Sequence, residues 1–86
     1  MWVILSYDID ESRVNAVRKT CLPYLRWLQN SVFIGDISKG NLTILLAKLK
    51  AIIDPTSDSI EVFIFKTKNE SKRISLGITK EFSNII

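Results

Sequence analysis

The chain has 86 residues, which is the length of one domain with a single small core. Contact with a partner that buries further apolar surface could therefore add to its stability. It contains one cysteine and no histidine. These counts exclude, within one chain, an internal disulfide, a Cys/His metal site and a Ser-His-Asp triad. Any hydrolysis must therefore use carboxylates, tyrosine, lysine, arginine or a hard metal ion. The net charge of +3 permits a polyanionic partner without requiring one.

The sequence predicts no membrane partner. No apolar run approaches the roughly 20 residues that a membrane-spanning helix needs. The N-terminus lacks the basic region of a signal peptide, and Asp8 interrupts its apolar run. The single cysteine, Cys21, is expected to be a reduced core thiol on a helix, which favours a cytoplasmic location.

Residues 2–7 predict the first strand, because they are mostly apolar, β-branched or aromatic, and the strand ends in Asp8. Alternate side chains of a strand point to opposite faces. One face therefore carries Trp2, Ile4 and Ser6, and the other carries Val3, Leu5 and Tyr7. Because both faces are largely apolar, we expect this strand to lie in the centre of a sheet.

A first helix is predicted between residues 10–12, whose acidic and hydroxyl side chains suit a helix start, and Pro23, which ends it. Helical spacing predicts a buried stripe of Val14, Val17 and Cys21. Three basic residues lie off that stripe and face solvent or a partner: Arg13, Arg18 and Lys19.

Residues 24–29 and 32–37 predict a β-hairpin, because Asn30-Ser31 between them is a two-residue turn signal. A continuous bent strand is the competing interpretation. Residues 38–41 are expected to form a loop that ends in a capping residue. A second helix follows over residues 42–53, where leucine and isoleucine recur at helical spacing.

Residues 60–65 predict a strand with two apolar faces, and residues 74–78 a short fifth strand. The order β-α-β-β-α-β with one added strand predicts an α+β fold of the ferredoxin-like type, an antiparallel sheet with both helices on one face. We expect a single domain over residues 1–78 and a weakly structured tail over residues 79–86.

Two helices on one face leave the other face of the sheet uncovered, although both central strands are apolar on both sides. A second copy of the chain that closes this face is the simplest solution, so we predict a homodimer. The fifth strand is a further candidate for pairing with a sheet edge of that copy. The residues predicted to form the dimer interface are Phe63, Phe65, Leu76 and Ile78.

Asp8 is the main candidate for chemistry. A loop or capping aspartate is one interpretation; a Mg²⁺ ligand is the other, since this ion takes one or two carboxylates with waters and substrate phosphates. One carboxylate is too few for a site, but a two-fold axis would supply a second Asp8, and a metal ion bound there would activate water without histidine. Tyr7 is interpreted as core packing or as a phosphate-binding hydroxyl. Asp10 is expected to cap a helix, and Asp36 to be a loop acid.

The basic residues Arg13, Arg18, Lys19 and Arg26 have two interpretations. They form an ordinary solvated face, or they form a stripe that contacts phosphates, to which the arginine fork is well suited. Large aromatic residues are expected in the core or an interface rather than as stacking platforms for bases: Trp2, Trp27, Phe33, Phe63 and Phe65.

Taken together, these features resemble the CRISPR-associated Cas-two family, the small adaptation subunit that partners the CRISPR integrase. The opening strand ends in Tyr7-Asp8-Ile9, and a basic helix follows over residues 13–19. Residues 29–37 read QNSVFIGDI, close to the family signature Q-x-S-V-F-x-G-x-L. Asp58-Ser59-Ile60 and Leu76-Gly77 also match, so the likeness covers residues 1–78. The chain departs from the family at Leu22-Pro23-Tyr24, where a tyrosine-glycine pair is common.

The resemblance implies a ferredoxin-like homodimer in which each subunit contributes Asp8 as the acidic residue linked to Mg²⁺, with Tyr7 also catalytic. It further implies that six residues lie around that site or contact nucleic acid, namely Arg13, Arg18, Lys19, Arg26, Ser31 and Phe33. The role of Asp8 carries over most securely. The arginines of the first helix shift in register between family members, so their roles transfer less directly.

The family resemblance predicts a CRISPR adaptation protein with a metal-dependent endoribonuclease site for single-stranded RNA, with DNA as the other candidate substrate. The main alternative is a binding scaffold: the same dimer grips duplex DNA and the integrase subunit while Asp8 is catalytically idle. A third hypothesis, a regulatory domain that binds a small ligand, is disfavoured by the basic net charge and the lack of a glycine-rich loop.

Overall fold

The computed structural model describes residues 1–66 and 71–78. In this part of the chain two helices and five strands follow the predicted order: β1 Trp2–Asp8, α1 Glu11–Cys21, β2 Arg26–Gln29, β3 Val32–Asp36, α2 Lys39–Ile52, β4 Ser59–Phe65 and β5 Ser71–Gly77. The predicted tail over residues 79–86 lies outside the described residues. No helix in the described ranges is long and apolar enough to cross a membrane.

The strands form one antiparallel sheet in the order β2-β3-β1-β4-β5. This order confirms the α+β, ferredoxin-like arrangement, with β1 and β4 in the interior and β5 added beside β4. The fifth strand pairs with β4 of its own chain along its whole length, from Ser59 opposite Gly77 to Phe65 opposite Ser71. This pairing makes β5 an edge strand of the sheet, and its pairing with a second copy stays a prediction.

The helix starts follow from local capping. Asp10 caps α1 through its side chain, which accepts from the backbone N–H of Ser12 at 3.0 Å. Ser38 caps α2 in the same way, accepting from the N–H of Asn41 at 3.1 Å. The expectation of a loop over residues 38–41 is therefore wrong: the hydroxyl of Ser38 satisfies a free N–H, and the helix begins at Lys39.

The hairpin between β2 and β3 confirms the turn prediction, because the two strands pair antiparallel and Asn30 has a positive φ of 39°. Asparagine tolerates this left-handed region better than most residues. The register shifts between Trp27 and Gln29, so β2 contains an irregularity of the bulge type just before the turn.

The core lies between the helices and one face of the sheet. In β1, Val3 and Leu5 are fully buried and Tyr7 is buried on this face. The same cluster includes Val17 and Cys21 of α1, three leucines of α2 and alternate residues of β4: Leu42, Leu45, Leu49, Ile60, Val62 and Ile64. Both helices therefore pack on one face, as predicted.

The opposite face of the sheet carries the other alternate residues of the central strands. Trp2 and Phe65 are directly opposite each other, as are Ile4 and Phe63. Trp2 remains 43% exposed and Phe65 38% exposed. An apolar surface thus lies at the centre of this face. The sequence predicted it, because both central strands are apolar on both sides.

Candidate functional site

An open cleft of about 370 Å³ lies where β1 ends, between the start of α1 and the β2–β3 turn. Its lining comes from Tyr7, Asp8, Ile9, Val14, Arg18, Asn30 and Ser31. The cleft therefore brings together four residues that the sequence predicted for the site, namely Tyr7, Asp8, Arg18 and Ser31. They come from three separate stretches of the chain, so only the folded sheet assembles them.

Asp8 is the last residue of β1 and is exposed at the cleft. It lies opposite Ser59 of β4 and alternates with Trp2, Ile4 and Ser6, so it belongs to the sheet face away from the helices. Among the described residues that line the cleft, Asp8 supplies the only carboxylate.

Tyr7 is held from three directions. Its backbone N–H donates to the carbonyl of Ser31 at 3.0 Å, and its hydroxyl donates to the carbonyl of Asn30 at 3.2 Å. The same hydroxyl accepts from Nε of Arg18 at 3.1 Å. Its ring packs against Phe33 in the core, with ring centroids 6.1 Å apart. The ring of Tyr7 is therefore core, and its hydroxyl, which gives its proton to Asn30, positions Arg18.

The turn after Asp8 is fixed by a second acid, Asp58, which belongs to a motif of the family resemblance but to which the sequence assigned no role. Asp58 is fully buried, and its carboxylate accepts from the backbone N–H groups of Asp10 and Asp54, each at 2.9 Å. Arg13 donates to it through Nε at 2.6 Å and Nη2 at 3.1 Å. This network ties the start of α1 to the residue before β4. It thereby holds the short connection between Asp8 and α1 in place.

Charge-assisted hydrogen bonding explains the ionisation of this network. The guanidinium of Arg13 holds the pKa of Asp58 well below its usual range, and the Asp58 carboxylate in turn raises the pKa of Arg13. Arg13 was predicted to contact nucleic acid, but its fork is engaged with Asp58. The sequence signal that could have found this pair is weak, since the two residues are 45 positions apart.

The other predicted contact residues lie elsewhere. Lys19 is exposed on α1, and Arg26 lines a different hollow with Trp2 and Asp36. Phe33 is fully buried and its ring packs in the core beside Tyr7. Its contact with nucleic acid stays a prediction.

Two minor predictions about acids can be compared with the structure. Asp10 is a helix cap, as expected, and hydrogen bonds from Ser12 lower the pKa of its carboxyl group. Asp36, expected in a loop, is the last residue of β3, where its carboxylate accepts from the N-terminal ammonium of Met1 at 3.0 Å. Its side chain is 80% exposed.

The predicted dimer-interface residues lie in different surroundings. Phe63 and Phe65 are on the sheet face away from the helices. Leu76 lies opposite Ile60 and packs against the core of its own chain. Ile78 is 43% exposed, and its N–H donates to the carbonyl of Asp58 at 2.9 Å. The apolar sheet face thus depends on Phe63 and Phe65 rather than on Leu76.

The donor set of the cleft fits a hard cation only in part. Mg²⁺ prefers oxygen ligands and completes its octahedron with waters and phosphates, so one exposed carboxylate can be half of a site. The described residues contain no group of three His, Cys, Asp or Glu side chains that could hold a metal ion. Cys21 is no substitute nucleophile, because burial raises the pKa of its thiol to about 12.

Comparison with known proteins identifies the family. A family model described as CRISPR associated protein Cas2 matches residues 1–73. The chain is 39% identical to the "CRISPR-associated endoribonuclease Cas2" of Dictyoglomus turgidum, over 93% of this chain and 92% of that protein. It is 40% identical to the protein of the same name from Pyrococcus furiosus, with the same coverage of both chains.

Solved structures agree with this assignment. A crystal structure of a Cas2 protein superposes with a TM-score of 0.75 at 38% identity, covering 100% of this chain and 94% of the other. Streptococcus pyogenes Cas2 superposes with a TM-score of 0.71 at 31% identity, over 80% of this chain and 89% of the other. The short acidic strand end, the fold and these similarities together show that the chain belongs to the Cas2 family of CRISPR-associated proteins, the Cas-two family named above.

Proposed function

We propose that this protein is a metal-dependent endoribonuclease of a CRISPR system, acting on single-stranded RNA through Asp8. The observation that carries the proposal is the exposed Asp8 carboxylate in a cleft that also holds Arg18 and the Tyr7 hydroxyl. A CRISPR-associated nuclease function is supported by the names of its relatives, which call them endoribonucleases. The family resemblance implies the single-stranded RNA substrate, and it supports the Mg²⁺ ion and the pairing of Asp8 that we propose.

The catalytic unit we propose is a homodimer. The apolar surface of Trp2, Ile4, Phe63 and Phe65 occupies the sheet face away from the helices, and Asp8 belongs to that same face. A two-fold contact through this surface turns the Asp8 of each subunit toward the interface. Two carboxylates would then share one Mg²⁺, with the second Asp8 added to the one carboxylate that the described residues bring to the cleft.

In this arrangement each side chain has a distinct role. A bound Mg²⁺ would supply positive charge against the scissile phosphate and lower the pKa of a water molecule. Asp8 would hold the ion. Arg18 would bind a phosphate oxygen, because its guanidinium lies at the cleft and is oriented by its bond to Tyr7. The Tyr7 hydroxyl, which gives its proton to the Asn30 carbonyl, would act by orienting Arg18 rather than by touching the phosphate.

The test is cleavage of labelled RNA and DNA with and without Mg²⁺, comparing the wild type with Asp8→Asn. We expect Mg²⁺-dependent cleavage of RNA that Asp8→Asn abolishes while the dimer and nucleic-acid binding remain. Asp36→Asn is the matched control, since Asp36 is also exposed but lies at the opposite end of β1, across from Trp2. Equal cleavage by wild type and Asp8→Asn would overturn the role of Asp8.

A scaffold is the second candidate function. It is favoured by the single carboxylate that each chain brings to the cleft and by the net charge of +3. In this case the dimer holds duplex DNA for a CRISPR integrase subunit and cleaves nothing. Binding should then weaken steeply with salt, because each phosphate contact releases counterions. A flat salt response together with Asp8-dependent cleavage would count against the scaffold.

A further inference from the structure

Trp27 is a large aromatic residue that the fold leaves half exposed. It lies on β2, at the edge of the sheet, with 50% of its surface exposed, and Leu22 beside α1 is 56% exposed. The sequence placed Trp27 in the core or in an interface, and the core is excluded by this exposure. An exposed tryptophan presents a large, rigid and apolar ring on which a ligand can pack.

The ring of Trp27 is fixed in place rather than loosely attached. Its Nε1–H donates to the carbonyl of Asn30 at 2.9 Å, and the guanidinium carbon of Arg18 lies 5.7 Å from the ring centroid. The same Asn30 carbonyl accepts from the Tyr7 hydroxyl. One carbonyl oxygen thus positions both the aromatic ring of Trp27 and the tyrosine of the Asp8 cleft.

A second hollow adjoins the cleft through Arg18. It has a volume of about 120 Å³ and is lined by Arg18, Leu22, Trp27 and Phe33. Its walls are apolar apart from the guanidinium. Since Arg18 lines both this hollow and the Asp8 cleft, a ligand that fills both must carry a flat apolar group beside an anionic group.

The homodimer proposed above does not cover this hollow. Trp27 lies opposite Phe33, which lies opposite Leu5, so all three belong to the helix side of the sheet. The dimer surface is on the other side. Trp27 therefore stays accessible when two copies meet through their sheets.

We propose that Trp27 and Arg18 form a nucleobase subsite, in which an unpaired base stacks on the exposed part of the Trp27 ring while its phosphate lies against Arg18 and leads into the Asp8 cleft. Every base has a flat face that can stack on an aromatic ring, so this contact does not depend on sequence. In a duplex the bases are stacked inside the helix. The subsite therefore favours single strands, and it deepens the proposed function by naming a source of that preference.

The two tryptophans of the chain, Trp2 and Trp27, give a direct test by fluorescence. In the variant Trp2→Phe, Trp27 is the sole tryptophan. We expect its fluorescence to be quenched on titration with a single-stranded RNA oligonucleotide, in EDTA to prevent cleavage, and to change little with duplex RNA of the same sequence. Absence of quenching at oligonucleotide concentrations that saturate binding would overturn the subsite.

Affinity measurements on the full-length protein give the second readout. Trp27→Leu should weaken binding of single-stranded RNA roughly tenfold, as expected for loss of one stacked base, and leave duplex binding unchanged. Trp27→Phe should retain most of the affinity because a ring remains. Leu28→Ala is the matched control, since Leu28 is the neighbouring exposed apolar residue at 52% exposure and should change neither affinity. Equal loss for single strands and duplexes in Trp27→Leu would contradict the proposal.

This inference rests on the proposed function for its link to the Asp8 cleft, but the two can fail separately. If RNA quenches Trp27 while Mg²⁺-dependent cleavage is absent, the subsite stands and the endoribonuclease proposal falls. If cleavage depends on Asp8 but Trp27 is not quenched, the subsite falls alone. If Trp27→Leu does not fold, the quenching of Trp2→Phe, which keeps Trp27, still decides the matter.

Discussion

Asp8 ends β1 and Asp58 immediately precedes β4, the strand that pairs with β1, yet the surroundings of the two aspartates differ completely. Asp58 is fully buried and receives hydrogen bonds from Arg13 and from two backbone N–H groups. Asp8 is exposed at an open cleft, opposite Ser59, the residue that follows Asp58. Burial with several donors makes Asp58 a structural anchor, whereas Asp8 lies at the surface of a cleft that a ligand can enter.

The difference between Asp8 and Asp58 is tested most strongly by replacing each of the two acids in turn. Asp8→Asn should lower RNA cleavage by more than about 100-fold, because it removes the proposed metal ligand. It should change the free energy of unfolding by less than about 0.5 kcal/mol, as is usual at exposed positions. Single-turnover cleavage and urea unfolding measure the two effects. A large loss of stability in Asp8→Asn would make this residue an anchor as well.

Replacement of Asp58 should instead chiefly lower the stability of the fold. Asp58→Ala leaves Arg13 and two partly buried N–H groups without their acceptor, so we expect a loss of about 3 kcal/mol in the free energy of unfolding. Thermal unfolding should show this as a fall of more than about 10 °C in the melting temperature. Asp36→Ala, at an 80% exposed carboxylate, should change the melting temperature far less. Similar behaviour of the two variants would show that burial does not distinguish these acids.

The pH dependence of stability also tests the role of Asp58 as a structural anchor. Arg13 holds the pKa of Asp58 below its usual range, so the folded state binds a proton on this group less readily than the unfolded state. Its contribution is therefore fully present above the unfolded pKa of about 3.9 and is lost as the pH falls below that value.

The difference in unfolding free energy between wild type and Asp58→Asn should thus be constant from neutral pH down to about 5 and shrink below about 4. Urea unfolding at a series of pH values measures it. The pKa values of Asp10 and Asp54 are also lowered, but both groups are present in both proteins, so the difference isolates Asp58. A difference that grows on acidification would contradict the assignment.

A smaller effect is expected at the cleft wall. Tyr7→Phe removes the hydroxyl that joins Asn30 to Arg18, while the ring still packs on Phe33. The loss of these hydrogen bonds should cost about 1 kcal/mol in stability and lower cleavage roughly tenfold through the misplaced guanidinium of Arg18. Steady-state kinetics should show the change chiefly in kcat. An unchanged rate would limit Tyr7 to core packing.

Much of the fold follows from local patterns. The leucine stripe of α2 and the two-sided strands β1 and β4 are visible in the sequence because periodicity reports which faces are buried. The hairpin was found because Asn30 is a residue that accepts a positive φ. The start of α2 was placed too late because Ser38 and Asn41 are both good capping residues, and only the hydrogen bond at 3.1 Å shows which one caps.

The site was harder to predict than the fold. Asp8, Tyr7, Arg18 and Ser31 were identified as candidates, and the structure brings them to one cleft. The Arg13–Asp58 pair and the exposure of Trp27 were not found, since both depend on contacts between distant parts of the chain or on the position of an edge strand. Residue type alone does not tell a phosphate-binding arginine from one that is paired in the fold.

The central claim is that one Asp8 from each of two subunits holds a single Mg²⁺, and a crystal structure of the protein with Mg²⁺ tests it most directly. We predict a dimer joined through the faces that carry Phe63 and Phe65, with a carboxylate oxygen of each Asp8 about 2.1 Å from one ion. The two carboxylates must then be near neighbours across the two-fold axis. A dimer in which the Asp8 carboxylates are more than about 10 Å apart, with no shared ion at saturating Mg²⁺, would contradict the claim.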